Sequence, residues 1–211
     1  MPFHTWLTFI SASIVILLIP GPTILLVIGD SLTNRGHSAW STVAGVAMGD
    51  TTAMAISLAG AGALLAASAT AFTALKLVGG SYLVYLGIKS ILNARRLRHD
   101  APALAVPGQQ KSAPRRFLSA WTVTALNPKS IIFFVAFVPQ FMSPDQTFLS
   151  QSVILLPTFV CLAAANASMY ALAAKLFAKH LTSVAAQRRF GYAGGAVMVG
   201  AGTLTLSMQS V

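Results

Sequence analysis

Glutamate is missing from this 211-residue chain, and the acids are limited to Asp30, Asp50, Asp100 and Asp145. Charged residues make up 9% of it, against about 25% in soluble domains. A solvated globular surface is thereby excluded, and the chain reads as a membrane protein. One cysteine, Cys161, rules out a disulfide framework and any Cys-pair metal or redox site. It stands in an apolar stretch, where a small packing residue is expected. The histidines, His4, His37, His99 and His180, fall at ends or in loops with no ligand spacing among them, so neither a metal nor a cofactor is expected.

What is present is apolar and basic: 55% hydrophobic residues, a net charge of +10 and a mean hydropathy of +0.73. A helical crossing needs about 20 mostly apolar residues. Six segments qualify, at roughly 7–29, 40–66, 71–92, 117–141, 151–174 and 190–208. The first is read as a retained span rather than a cleaved signal peptide, because it lacks a basic start, is long and contains Pro-Gly-Pro. The predicted fold is an all-α membrane protein of six transmembrane helices. Residues 1–92 form a first three-helix repeat, 93–116 a basic cytoplasmic linker, and 117–211 a second three-helix repeat.

The charge distribution sets an orientation. The loops after spans one, three and five, with their flanks, hold 12 of the 14 Lys and Arg, and those after spans two and four hold none. Basic loops stay in the cytoplasm, so both termini are predicted outside. The same distribution accounts for the net charge without nucleic acid, which is not expected as a partner. Lys76 and Lys129 are the exceptions, both within spans. Lys76 lies near the outer start of span three, within snorkelling reach of the interface. Lys129 lies near the middle of span four.

Two segments should interrupt their helices: Pro20-Gly21-Pro22 in span one and Asn127-Pro128-Lys129 in span four. Proline lacks an N–H and clashes with the preceding turn. Irregular backbone at membrane depth is tolerated only where protein or a polar cavity covers it. Paired interruptions in two halves of opposite orientation mark the substrate site of many transporters. Other correspondences support an inverted repeat. Gly79-Gly80 with Gly87 in span three is echoed by Gly194-Gly195 with Gly202 in span six, and Asp50 in span two by Asn166 in span five.

Asp50 is costly at mid-membrane and must face a cavity or a partner. It is a candidate for proton coupling or for a substrate amine, with a structural ion pair or interhelical hydrogen bond as the alternative. Lys129 could pair with Asp50 or meet a substrate carboxylate. Asn166 could line the site or serve as interhelical glue. Free N–H groups at an interrupted helix attract carboxylate, and free carbonyls attract a cation, a combination suited to a zwitterion. Gln140 is expected as a helix-terminus residue, Asp30 as a surface partner of Arg35, and Gly45 with Gly49 as a packing face. The sequence argues against an intramembrane aspartyl protease. Asp30 and Asp50 differ in depth, and Ala47 occupies a position where the Gly-x-Gly-Asp motif requires glycine. The chain is not expected to be an enzyme.

These residues resemble, in order, the lysine exporter superfamily, in its homoserine/threonine-resistance (LysE/RhtB-type) branch. The carriers are Pro20-Gly21-Pro22, then Gly45 with Gly49-Asp50, then the run from Leu75 to Gly87. Span four adds Asn127-Pro128-Lys129, Phe133-Phe134 and Pro139-Gln140-Phe141. The resemblance implies proton-driven export of amino acids or close derivatives across the bacterial cytoplasmic (inner) membrane. The implied partners are a small zwitterionic substrate, protons and the lipid bilayer. It leaves open other small metabolites such as lactones, a small ion as a weaker cargo, and a homodimer, for which no feature names an interface.

Overall fold

The computed structural model describes residues 1–33, 39–96, 111–143, 146–181 and 183–207. Among these the chain is helical, without a strand, in eight α-helices. They are α1 (Phe3–Leu18), α2 (Pro22–Thr33), α3 (Trp40–Ala67), α4 (Ala69–Arg96), α5 (Ala113–Ala125), α6 (Pro128–Ile132), α7 (Phe148–Leu181) and α8 (Val184–Ser207). Beyond α6 the chain continues through a π turn at Phe133–Phe137 and a 3-10 turn at Val138–Phe141. Pro139 accounts for that irregular run, since it removes one N–H and crowds the carbonyl a turn earlier.

The protein is an all-α membrane protein. Segments of α3 (Trp40–Leu64), α4 (Leu77–Arg96) and α7 (Phe148–Ala174) are each long and apolar enough to cross a bilayer. Two bent pairs, α1 with α2 at 57° and α5 with the Pro128–Phe141 run at 45°, have the length and apolarity of a crossing when each is taken as one broken span. Both bends fall at the expected interruptions, and for the same reason. A residue before proline is pushed out of the helical region, and Ile19 and Asn127 are extended, at ψ 111° in each case. Against six expected spans, length and apolarity among the described residues support three, or five where each bent pair is one span; α8 is not among them. Its glycines and threonines dilute its hydropathy, and its place is set by packing on α4. The helices also run past the expected linker boundaries: Asn93–Arg96 belong to α4 and Ala113–Arg116 to α5.

Glycine sets the closest approaches. α4 and α8 run antiparallel with Gly80 against Gly202 and Gly87 against Gly195. A Cβ on Gly87 would sit 2.6 Å from the Gly195 carbonyl oxygen, and one on Gly202 2.6 Å from that of Gly80. Two glycines of each echoing set therefore face one another in space, while Gly79 meets Ala136 and Gly194 meets Ile19. Gly45 and Gly49 form a packing face, as expected, and lie on α5, where a Cβ on Gly49 would be 2.6 Å from Thr124 Cβ. The most extensive contacts, α4 with α8, α3 with α5 and α3 with α7, all join residues 1–92 to residues 117–211. The two halves interlock rather than standing as separate units.

Two apolar clusters flank the bends. One is aromatic, built on Phe9, Phe133, Phe134, Phe137, Phe141 and Phe159, with Phe134 edge-on to Phe159 at 4.8 Å. The other is aliphatic, with Ile24, Val27, Ile28, Val43 and Val46 against small residues of α5 and α7. Cys161 belongs to neither and is exposed on α7, so it does not pack as the sequence suggested.

Adding one methyl group separates seam from surface. Gly87→Ala should lower the thermal unfolding temperature of the purified protein, at a cost of about 1–3 kcal/mol from overpacking. Gly200→Ala, where a Cβ meets nothing within 4 Å, should leave it unchanged or slightly raised, since alanine is the better helix former.

Candidate functional site

A helix end leaves up to four carbonyls without an intrahelical partner, and α1 ends inside the bundle. Each carbonyl of its last turn is met by a side chain from the other half. The Lys129 ammonium donates to Ile16 O at 3.1 Å and Ile19 O at 2.9 Å. Asn166 Nδ2 donates to Leu17 O at 3.0 Å, and the Tyr170 hydroxyl to Leu18 O at 2.8 Å. Asn166 and Tyr170 stand four apart on α7 and so share a face. The ammonium also answers the partial negative charge of a helix C-terminus. Gly21 permits its approach: a Cβ there would already touch Lys129 Nζ at 3.5 Å.

The second interruption is held by Asn127. Its Oδ1 accepts from the Lys129 N–H at 3.1 Å, capping α6, and its Nδ2 donates to Thr23 Oγ1 at 3.2 Å. The Thr124 hydroxyl donates to the same oxygen at 3.3 Å. Thr23 thus ties the start of α2 to the end of α5, and the two interruptions become one structure.

Between them lies a small, partly open cleft. Its polar lining is Asp50, Lys129, Thr23, Asn127, Ser130 and Asn166; its apolar lining includes Ile16, Ile24, Val46, Phe133, Phe159 and Ala163. Asp50 is buried, with 3% of its surface accessible. Among the described residues it accepts no hydrogen bond and has no cation within 4.0 Å, because Lys129 is drawn to α1. The two charges share the cleft and attract one another across it. The direct Lys129–Asp50 pair that the sequence allowed is not formed. The arrangement offers an uncommitted carboxylate, amide and hydroxyl groups, and an apolar wall. That set can hold a small polar solute with an apolar side chain.

Of the residues singled out in sequence, Gly21, Asp50, Asn127, Lys129 and Asn166 meet at the cleft. Pro20, Pro22 and Pro128 set the bends without lining it. Thr23, Ser130 and Tyr170 were not anticipated. Tyr170 could have been suspected from its place one turn beyond Asn166, and Thr23 from its place at the head of the helix that follows Pro-Gly-Pro. Gln140 donates to Ala136 O at 2.8 Å and Thr205 Oγ1 at 3.2 Å, a structural role. Asp30 is partly buried, 3.8 Å from Arg116 Nη1, and accepts from the Thr42 hydroxyl, while its expected partner Arg35 lies outside the described residues. Arg35, His37, His99 and the Lys76 and His180 side chains lie outside the described residues.

Comparison with known proteins places these features in context. The family model described as LysE type translocator matches residues 14–209. A membrane protein of Vibrio cholerae without an assigned activity is 30% identical over the whole length of both chains. The homoserine/homoserine lactone efflux protein of Salmonella typhimurium is 30% identical over 99% of each chain. The leucine efflux protein of Klebsiella pneumoniae is 29% identical over 65% of this chain and 63% of its own. No solved structure matches.

The α1 cap makes an ordered set of stabilities. Tyr170→Phe removes one hydrogen bond and should cost about 0.5–2 kcal/mol. Lys129→Met strands two carbonyls and removes a charge-assisted donor, and should cost more, about 3 kcal/mol. Thermal unfolding in detergent should rank wild type above Tyr170→Phe above Lys129→Met.

Proposed function

Starting from the fact that the chain belongs to the LysE type translocator family, we propose that it is a secondary active exporter of amino acids or close derivatives. It works in the bacterial cytoplasmic membrane, with both termini outside and the basic linker in the cytoplasm. The observation that carries the reading is a buried carboxylate, Asp50, without a direct hydrogen bond or ion pair among the described residues, in a cleft between two interrupted spans.

The relatives' names bear on the cargo. Leucine, homoserine and homoserine lactone share a primary ammonium, and the lactone has no carboxylate. A site for such cargo needs an anion, and Asp50 is the one acid lining the cleft among the described residues. Where the cargo has a carboxylate, the first-turn N–H groups of α2 attract it; Thr23 and Ile24 of that turn line the cleft. Phe133, Phe159 and Ala163 offer the surface for an apolar side chain.

Coupling follows from the same carboxylate. Asp50 takes a proton when the cleft faces outside and releases it inside, so that protons enter as cargo leaves. Residues 1–92 and 117–211 act as inverted repeats joined by the linker at 93–116, and one moves against the other to change the side of access. The glycine seam between α4 and α8 suits such movement, since its close contact is backbone on backbone. The aromatic cluster contributes Phe133 and Phe159 to the cleft wall, and the aliphatic cluster contributes Ile24 and Val46.

The test is efflux from cells loaded with a mixed amino-acid pool by dipeptide feeding, comparing wild type, Pro128→Ala and empty vector. Wild type alone should release one or a few neutral amino acids selectively. Equal release by all three, with the protein present in the membrane, would remove amino acids as cargo. Export should be faster with acid than with alkaline medium, because the inward proton gradient drives it. Asp50→Asn should lower uphill export at least about tenfold, a loss of about 1.4 kcal/mol in driving interaction. Full proton-dependent export by that variant would take Asp50 out of the coupling role.

A further inference from the structure

The α4–α8 pair carries its charge at one end. Lys89, Arg95 and Arg96 of α4 and Arg188 and Arg189 of α8 are all exposed. The packing of the two helices brings them together. Along the antiparallel seam Gly80 meets Gly202, Gly87 meets Gly195 and Ala94 meets Gly191. Ser90 Oγ donates to Gly191 O at 3.0 Å and fixes that end of the register. Arg188 stands three residues before Gly191 and seven before Gly195, so it continues the stripe of α8 that faces α4. One step beyond Ala94, the seam sets Arg188 level with Arg95 and Arg96.

Like charges set face to face repel, the more so where a bilayer lowers the dielectric. None of these cations has a carboxylate within 4.0 Å among the described residues, whose acids are Asp30, beside Arg116, and Asp50, in the cleft. The C-terminus of α4 favours its own arginines. α8 does the opposite: it starts at Val184 with no acid in its first turn, so its partial positive charge adds to Arg188 and Arg189. Next to this cluster, Val78, Tyr82, Tyr85, Lys89, Leu92 and Arg96 follow one another at intervals of three or four. They lie along one exposed face of α4. That face is apolar at depth and cationic where the helix ends. Lys89 stands on it about 10 Å below Arg96, with its ammonium 5.8 Å from the centre of the Tyr85 ring.

We propose that the basic end of the α4–α8 pair seats one anionic phospholipid, with its phosphate at Arg95 and Arg188 and an acyl chain along Tyr85 and Leu92. Juxtamembrane cations attract anionic headgroups, and the register here concentrates them across one seam rather than spreading them over the surface. A zwitterionic headgroup brings an ammonium with its phosphate and so cancels less of the charge. Free phosphate has nothing to lay on the apolar face. A second copy of the chain would bring the same cations to the face that needs an anion. The lipid is then the counter-ion of the contact between α4 and α8, and the stability of that contact depends on the charge of the membrane. The site is apart from the cleft and stands whichever solute the cleft carries.

The test titrates the purified full chain, in a neutral detergent, with dioleoylphosphatidylglycerol, with dioleoylphosphatidylcholine and with sodium phosphate. Thermal unfolding reads the binding, and native mass spectrometry counts the lipid retained. Phosphatidylglycerol should raise the unfolding temperature at a concentration at least tenfold below that needed of phosphatidylcholine, with a single molecule retained per chain. Phosphate should leave it unchanged. Arg95→Gln with Arg188→Gln should abolish the tenfold preference. Lys111→Gln with Arg115→Gln removes the same charge at the other end of the linker and should keep it. Equal loss in both double variants reduces the effect to net charge and overturns the site, as does equal stabilisation by the two lipids. Phosphate that stabilises as well as phosphatidylglycerol overturns the lipid as occupant. A dimer that retains no lipid gives the face to a second copy and overturns it likewise. If wild type gains nothing from phosphatidylglycerol while Asp100→Asn does, the linker supplies the counter-ion and the proposal falls. The comparison of lipids on wild type stands even if the arginine variants do not fold.

Discussion

A helix that stops partway across a bilayer points its last carbonyls into a medium that cannot bond them, and the rest of this structure is arranged around that fact. The end of α1 is completed by Lys129, Asn166 and Tyr170, none of which is nearby in sequence. Because those side chains come from α6 and α7, the first half of the chain is finished only by the second. Thr23, bonded by Asn127 and Thr124, closes the arrangement from the other direction. The cleft exists because two interrupted helices meet without filling the space between them. Its character follows from which polar groups are spent on the helix ends and which are left over.

What is left over matters most. Lys129 and Asp50 are a cation and an anion in one apolar bundle, and a direct pair would satisfy both. A pair inside a protein must still offset the loss of water by each partner. Here the carbonyls of α1 give the ammonium two close acceptors, and the carboxylate stays open to the cleft. The Asp30–Arg116 contact differs in that its two charges do approach one another, with Thr42 adding a hydroxyl. One acid is committed to holding helices together, the other to none.

Much of this was legible in the chain. Proline chemistry gave both bends to the residue, and composition gave the membrane class. The echo between Gly79-Gly80-Gly87 and Gly194-Gly195-Gly202 anticipated a relation that becomes a face-to-face contact. Partners were not legible, because a partner depends on which helix faces which, and six nearly uniform apolar segments encode that poorly. Thus Lys129 and Asp50 both line the cleft, and the direct pair that the sequence allowed is not formed. Nor could the sequence show that Arg116 approaches Asp30 through the packing of α2 on α5. Cys161 looked like core because its neighbours are apolar, yet in a bilayer the outward face is apolar too. α8 was easy to see by position and hard to justify by hydropathy, since the glycines that let it approach α4 are the residues that make it less apolar.

That last feature has a consequence for how the protein is made. The glycine face of α4 enters the membrane about a hundred residues before the matching face of α8 is synthesised. Until then its bare backbone has lipid for a neighbour, and α1 waits in the same way for α6 and α7. Insertion and folding are therefore separate events in this chain: helices enter one by one, and close packing comes only after translation has passed α8. Intermediates in that interval expose the surfaces that a membrane protease or an insertion chaperone recognises. Changes along the glycine seam should therefore register in how much protein accumulates, even in variants whose finished form would still transport.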